Sequence, residues 1–317
     1  MTAPVRVLLA GLGDFGERHA AAVAANPGAE LVAVVGRDPG RTAAFAERHG
    51  VAGWSVDLEE ALRDHGPDAV IIAAPGALHL PMTRAALAAG ASVLLEKPVV
   101  PTIAEIDELR RAAEDAPGFV MPAHVLRFSA PYRELRRRLQ EGRIGTPVSF
   151  AFRRYRARDH DRRFPDVHPA YMTAIHDIDL AIWLSGQRFS ELSAASTRVE
   201  GAAQPGSVMA HARGDRGAVC SFAVSWLLPD GVAEDALEVF GTEGMLALDH
   251  RYVLRERSDA GEGDTEFPDY DLDVALQEEV DHFVACVARG EASDIITLEE
   301  ALHGLELAEA MAQGGRP

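Results

Sequence analysis

The stretch best placed to carry chemistry is Glu96-Lys97-Pro98, which follows the apolar run at residues 91–95. A carboxylate and an ammonium directly after a buried strand lie at the carboxyl edge of a sheet, where open α/β folds bind their ligands. An ammonium there can stabilise negative charge that develops on a substrate oxygen. The sequence therefore predicts a ligand crevice at this strand end. The alternative is that Lys97 only forms an ion pair with its neighbour Glu96.

A second ligand-binding pattern lies near the start of the chain. Residues 7–10 form an apolar strand that leads directly into Gly11-Leu12-Gly13-Asp14-Phe15-Gly16 and then into an alanine-rich helical pattern. The glycines allow a tight turn, close approach of a pyrophosphate and close packing of helix on strand, and the helix N-terminus offers free N–H groups. We therefore predict a dinucleotide site formed by Gly11, Gly13, Asp14, Phe15 and Gly16.

The end of the second predicted strand indicates which dinucleotide binds. An NAD site usually has an acid there for the ribose hydroxyls, whereas this chain has Gly36-Arg37-Asp38, with Arg41 one turn later. Guanidinium groups suit a 2′-phosphate, so we expect a preference for NADP(H), with Arg37 as first phosphate partner and Arg41 as second. NAD(H) is the alternative if Arg37 is a solvated loop residue and Asp38 binds the ribose.

Apolar strands alternate with helical patterns through the first part of the chain, which implies a parallel, doubly wound sheet. Thr102 is a predicted helix N-cap, with Glu105 at capping-box spacing, and Asp57 is another. The predicted strands are 6–10, 29–35, 68–74, 91–95 and 118–123, and the predicted helices are 17–25, 42–49, 57–64, 77–89 and 102–116. Residues 1–123 are therefore predicted to form a dinucleotide-binding Rossmann domain.

From residue 146 the pattern changes to an alternation of period two. It predicts a mostly antiparallel, open-faced sheet with helices, so residues 124–317 are expected to form an α+β domain for substrate binding and oligomerisation. An exposed flat sheet face favours a homodimer or homotetramer. The predicted strands are 148–156, 191–200, 207–213, 218–227, 236–241, 244–248 and 251–256, and the predicted helices are 131–141, 176–184, 272–289 and 297–312.

Composition argues against several classes of function. The formal net charge of -18 disfavours a general affinity for nucleic acid or for anionic membranes. No stretch has the apolar length of a membrane-spanning helix. Cys220 and Cys286 are flanked by apolar residues, which favours reduced core thiols over a metal site or disulfide. We expect a cytoplasmic protein without a metal.

Taken together, these motifs resemble the family of glucose-fructose oxidoreductase and inositol dehydrogenase (Gfo/Idh/MocA). The resemblance spans nearly the whole chain. It implies that the protein oxidises a ring hydroxyl of a sugar or cyclitol, or reduces the matching ketone, by hydride transfer to or from a nicotinamide dinucleotide. Besides the glycine turn and Glu96-Lys97-Pro98, it rests on Ala74-Pro75, His79, residues 124–128, His176-Asp177-Ile178-Asp179-Leu180, His282-Phe283 and Leu298-Glu299-Glu300-Ala301.

The resemblance also implies roles for single residues. In this family the lysine of Glu-Lys-Pro positions the carbinol and touches the nicotinamide ribose, and a histidine on a second-domain helix removes the hydroxyl proton; these correspond to Lys97 and His176. Oxidation of a carbinol requires such a cation and a base of near-neutral pKa. Ala74, Pro75, His79 and Glu96 are expected at the cofactor and His124 at the substrate.

One position departs from the family pattern. Many members have an aspartate four residues before the histidine, where this chain has Met172. Methionine neither accepts a proton nor orients an imidazole. We expect Met172 within the substrate site all the same, with Tyr171 or His168 as the group that replaces the aspartate.

Residues 153–163 are strongly basic in an acidic chain. Arginine suits carboxylates and phosphates, so we expect at least one of Arg154, Arg156 and Arg158 to reach the substrate, which would then be an acidic sugar or a nucleotide-sugar. The alternative is a solvated strand edge. Two other functions stay open: a ketosugar or nucleotide-sugar reductase of secondary metabolism, and a non-catalytic nucleotide-binding regulatory protein.

Overall fold

A computed structural model describes residues 3–268 and 270–314. Contacts divide the chain into two compact units. The first comprises the residues up to Phe128 together with Asp271–Leu302, and the second comprises Ser129–Tyr270 with the residues from His303 on. The boundary at 123/124 stays a prediction. The first unit also includes a segment from near the end of the chain, which chain order alone would not assign to it.

The first unit contains a six-stranded sheet in the order β3-β2-β1-β4-β5-β6. Every pairing in it is parallel, and the strand order reverses next to β1, as in doubly wound folds. The predicted parallel sheet is confirmed. Its strands are β1 Val5–Ala10, β2 Ala29–Val35, β3 Gly53–Ser55, β4 Ala69–Ile72, β5 Ser92–Glu96 and β6 Val120–Ala123.

The two helix caps predicted in this unit have different outcomes. Asp57 caps its helix as predicted, because its carboxylate accepts the N–H of Glu60 at 3.0 Å. The capping box predicted at Thr102 is wrong: the Thr102 hydroxyl donates to the Glu105 carboxylate at 2.7 Å, and a short 3₁₀ turn precedes the helix. The helices are α1 Asp14–Ala25, α2 Pro39–Arg48, α3 Leu58–His65, α4 His79–Ala88, α5 Ile106–Glu114 and α9 Leu272–Arg289.

The second unit contains an eight-stranded sheet in the order β14-β13-β12-β11-β7-β10-β9-β8. Strands β7 and β10 pair in parallel, and the other pairings of this sheet among the described residues are antiparallel, which confirms the prediction. The strands are β7 Pro147–Ala157, β8 Phe189–Thr197, β9 Ser207–Gly214, β10 Val219–Leu228, β11 Glu234–Gly241, β12 Gly244–Leu248, β13 Val253–Ser258 and β14 Gly261–Glu266.

One face of this sheet is apolar and buried. Phe152 of β7 stacks on Phe222 of β10 with ring centroids 5.5 Å apart. The indole N–H of Trp226 donates to the Thr173 hydroxyl at 2.9 Å, which ties β10 to the segment before the helix Ile175–Ser185. The remaining helices are α6 Ala130–Gln140, α7 Asp159–Arg163, α8 Ile175–Ser185 and α10 Leu298–Ala312. Within the described residues, the helices are too short or too polar to cross a membrane.

Candidate functional site

The glycine turn between β1 and α1 contains two glycines that the fold itself requires. Gly11 has a φ of +103°, and a side chain there would overlap the backbone of Ala73. A side chain at Gly16 would overlap the Gly11 carbonyl. Gly13 differs, since a Cβ there would meet nothing within 4 Å. Packing within the chain therefore explains Gly11 and Gly16, whereas Gly13 keeps a space open.

This open space lies at the start of α1. Gly13 is the N-cap residue and provides no side-chain cap, so the first-turn N–H groups of Asp14 and Phe15 are available to an anion. Both residues are exposed. An uncapped helix start beside open space fits the pyrophosphate of a dinucleotide.

The end of β2 presents an acid and two arginines. Asp38 is the N-cap of α2, and its carboxylate accepts the Arg41 N–H at 2.7 Å. Arg37 and Arg41 are exposed, and neither side chain has an ion-pair partner within residues 3–268 and 270–314. One oxygen of Asp38 is thus committed to starting a helix, while two guanidinium groups remain open to a ligand.

His79 joins the loops that follow β4 and β5. It is buried, with Nδ1 2.8 Å from the Pro98 carbonyl oxygen and Nε2 2.8 Å from that of Ala74. The ring therefore fixes the segment Ala74-Pro75 against the residues after Lys97. Direct contact of His79 with a cofactor stays a prediction.

Glu96, at the end of β5, is buried, with 9% of the residue exposed. His19 Nε2 lies 3.0 Å from Oε1, and Oε2 accepts the backbone N–H of Lys97 at 3.1 Å. Burial by itself would raise the pKa of Glu96, but the hydrogen bond with His19 and the nearby His19 and Lys97 lower that pKa overall. The carboxylate is thus held in its ionised form beside Lys97.

His19 was missed by sequence reasoning. Its place three residues after Gly16, on the helix that follows the glycine turn, was an available signal.

Lys97 is the only lysine in the chain. The other residues in the Lys and Arg total of 31 are arginines.

In the second unit, His176 is the second residue of α8 and is half-buried. A π-helical turn, Ala170–Ala174, precedes this helix. Such turns occur frequently at functional sites. His124, which belongs to the first unit, is buried and follows β6.

The residue after His176 anchors the start of α8 to the sheet. Asp177 accepts hydrogen bonds from Arg154 Nε at 2.9 Å and Nη2 at 2.7 Å, and Arg154 Nη1 lies 2.8 Å from Asp235. Arg156 donates to Asp235 as well, at 2.5 and 3.0 Å. Burial raises the pKa of Asp177 despite Arg154, whereas Arg154 and Arg156 lower that of Asp235 against the effect of burial.

Arg154 therefore differs from the exposed guanidinium that the basic stretch suggested. It is 4% exposed and lies between two carboxylates. Arg158 is exposed. Contact of Arg154, Arg156 or Arg158 with a substrate stays a prediction. In the structure, Arg154 binds the first turn of α8 to the sheet through its ion pair with Asp177.

The two candidates for replacing the aspartate absent at Met172 have different surroundings. The Tyr171 hydroxyl donates to the Glu309 carboxylate, and burial together with this bond raises the pKa of Tyr171. His168 Nδ1 accepts the Ala170 N–H at 3.1 Å, which leaves the ring proton on Nε2, and burial lowers the pKa of His168. His168 is therefore a neutral ring with an Nε2–H donor, and Tyr171 is a phenol bound to a carboxylate.

A parallel sheet with an open glycine turn, joined in one chain to a mostly antiparallel sheet, defines the class of two-domain dinucleotide-binding oxidoreductases. Residues 5–124 match the family described as oxidoreductase family, NAD-binding Rossmann fold, and residues 132–247 match the GFO/IDH/MocA C-terminal domain. The chain belongs to the Gfo/Idh/MocA family, which confirms the resemblance found in its motifs.

Relatives of known name match over nearly the full length. The scyllo-inositol 2-dehydrogenase (NAD(+)) of Bacillus subtilis (strain 168) is 29% identical, covering 98% of this chain and 94% of that protein. The inositol 2-dehydrogenase of Rhizobium meliloti (strain 1021) is 27% identical, covering 96% and 95%. The solved myo-inositol 2-dehydrogenase of Lactobacillus plantarum has the same fold, with a TM-score of 0.86 at 23% identity over 98% and 97% of the two chains.

We predict that Gly13→Ala changes the stability of the protein by no more than about 1 kcal/mol, the cost of alanine at a helix N-cap. It should weaken dinucleotide binding by at least about tenfold, because the added methyl group enters the open space. Gly16→Ala is the matched control. It should lower the melting temperature, because its methyl group overlaps the Gly11 carbonyl. Calorimetric titration with NAD⁺ and with NADP⁺, together with thermal unfolding, tests both variants. Equal dinucleotide affinity for Gly13→Ala and the unmodified protein would contradict the assignment.

We predict that Arg154→Met lowers the free energy of unfolding by about 3–5 kcal/mol, because it leaves Asp177 and Asp235 buried without their cation. Arg153→Met is the control. Arg153 lies on the same strand, but its side chain is 53% exposed and pairs with Glu238 only at 3.9 Å, so a change within about 0.5 kcal/mol is expected. Denaturant unfolding measures both, and similar losses would show that the buried pairs do not stabilise the fold.

Proposed function

We propose that this protein is a nicotinamide-dependent dehydrogenase that oxidises a ring hydroxyl of a cyclitol or sugar, or reduces the matching ketone. The observation that carries the proposal is Lys97, which follows a buried, hydrogen-bonded carboxylate at the carboxyl end of β5 in an NAD-binding domain. The near full-length relatives named as inositol 2-dehydrogenases support the cyclitol class of substrate.

Residues of the first unit would hold the dinucleotide. Gly13, Asp14 and Phe15 offer backbone N–H groups and space for the pyrophosphate, between the structural glycines Gly11 and Gly16. Ala74, Pro75, His79 and Glu96 complete the proposed cofactor set. When bound, the nicotinamide supplies hydride exchange with the carbinol carbon.

The side chains of this chain would handle the proton and the charge. We assign His176 as the base that accepts the hydroxyl proton and Lys97 as the cation that stabilises the negative charge on the substrate oxygen. His168 would donate its Nε2–H to a substrate hydroxyl, since its Nδ1 already accepts a backbone N–H. The remaining proposed substrate residues are His124, Arg154, Arg156, Tyr171 and Met172.

A panel of inositols, sugars and uronates, assayed with NAD⁺ and NADP⁺ by the absorbance of the reduced nicotinamide, tests the function. Lys97→Met and His176→Ala should each lower kcat at least about 100-fold while changing dinucleotide affinity by less than about threefold. Lys97→Arg is the control for charge, and partial activity is expected from it. Dinucleotide binding without turnover of any polyol or ketone would favour the non-catalytic regulatory protein.

We infer a preference for NADP(H) over NAD(H) from the exposed Arg37 and Arg41 beside a helix-capping Asp38. Arg37→Ala should lower the NADP⁺/NAD⁺ ratio of kcat/KM by about tenfold, because it removes a charge-assisted hydrogen bond to the 2′-phosphate. Arg63→Ala, an exposed arginine of α3, should leave the ratio unchanged. An unmodified protein that prefers NAD⁺, the dinucleotide in the Bacillus relative's name, would contradict this inference.

We also propose that the open face of the second unit's sheet pairs with a second copy. Met209, Val219 and Phe240 are more than two-fifths exposed there and surround small residues of the central strands. Light scattering should give a dimer or tetramer of the 34.0 kDa chain, whereas a monomer would contradict the proposal.

We also propose a cytoplasmic location, which the two buried free cysteines support and cell fractionation would test.

A further inference from the structure

We propose that His19 is a positioning residue for Lys97, acting through Glu96. This inference rests on the role proposed for Lys97 in catalysis. It adds to that role a second residue, on the helix after the glycine turn, which controls both the place and the charge of the lysine.

Glu96 forms two hydrogen bonds, one through each carboxylate oxygen. One of its carboxylate oxygens contacts His19, which is fully buried on α1, and the other accepts the backbone N–H of Lys97. Helix α1 starts at the glycine turn, so a single carboxylate links the proposed phosphate-binding helix to the proposed catalytic lysine.

The charge of Glu96 depends on these contacts. A buried carboxylate without hydrogen bonds becomes neutral, because burial penalises the charged form. The groups that act most strongly on Glu96 are His19 from α1 and Lys97 at the end of its own strand, and together they lower its pKa against burial. An ionised Glu96 in turn favours the ammonium form of Lys97, which is the form that stabilises a substrate oxyanion.

The same unit contains a matched pair with no lysine beside it. His49 Nε2 lies 2.7 Å from Glu17 Oε2, but the Glu17 side chain is 43% exposed. Loss of His49 therefore removes a histidine–carboxylate contact of the same kind without burying an unpaired charge or affecting Lys97.

The composition of the chain supplies a direct readout. Because Lys97 is the only lysine, acylation of the protein by an amine reagent modifies one side chain besides the chain's terminal amine, and the two lie in different peptides. Only the neutral amine reacts, so the pH dependence of labelling reports the charge of Lys97 without any substrate. The high-pH plateau reports its accessibility.

The experiment compares His19→Leu, His19→Gln, Glu96→Gln and His49→Leu by peptide-resolved mass spectrometry across pH. His19→Leu and Glu96→Gln should move the labelling curve to lower pH, so that labelling at intermediate pH rises by about threefold or more while the plateau stays unchanged. His19→Gln, whose amide can still donate to Glu96, should move the curve less than His19→Leu does, and His49→Leu should match the unmodified protein. Thermal unfolding and dinucleotide titration identify folded variants, and Glu96→Gln serves if His19→Leu does not fold.

The proposal would be overturned if the labelling curves of His19→Leu and Glu96→Gln coincide with that of the unmodified protein, or differ from it only in the plateau. Equal shifts of the curve for His19→Leu and His19→Gln would overturn it as well. Once a substrate is found, His19→Leu should lower kcat by about tenfold with the dinucleotide KM within about twofold. Labelling needs no substrate. If the protein turns over no polyol, the proposed function is contradicted, but the labelling curves still test whether His19 controls the charge of Lys97.

Discussion

The buried carboxylate of Glu96 is the constraint on which the chemistry proposed for the first unit depends. Such a group is costly in a protein interior unless both oxygens are hydrogen-bonded. Here His19 contacts one oxygen and the Lys97 N–H contacts the other. The glycine turn, its helix and the strand end are consequently fixed to each other by one side chain. This arrangement explains why a charged residue is stable at the end of an otherwise apolar strand.

The second unit places a buried cation between two carboxylates. Arg154 of β7 pairs with Asp177 of α8 and with Asp235 of β11, so the first turn of the helix is fixed to the sheet. His176 precedes Asp177 in the chain and is therefore held by the same contact. In both units, the residue proposed to act on substrate is adjacent in sequence to the carboxylate that anchors it.

Strongly patterned elements could be predicted with close bounds. Strand β2, strand β12 and helix α9 begin and end at the predicted residues. Strand β3 has only three residues, and β14 carries glycines and charges in place of an apolar alternation, so neither gave a usable pattern. The cap expected at Thr102 failed because the chain forms a 3₁₀ turn there, in which the Glu105 N–H donates to the Thr102 carbonyl oxygen at 3.2 Å and not to the hydroxyl.

The sequence by itself determined the family, the dinucleotide turn and the position of Lys97 at a strand end, because each depends on residues that are close together in the chain. The tertiary structure alone decided which side chains meet. His19 and Glu96 are separated by 77 positions, and Tyr171 and Glu309 by 138. Arg154 reads as part of an exposed basic run, yet sheet register places it against Asp235 and packing of α8 places it against Asp177. Such contacts depend on strand order and helix packing, which no local pattern encodes.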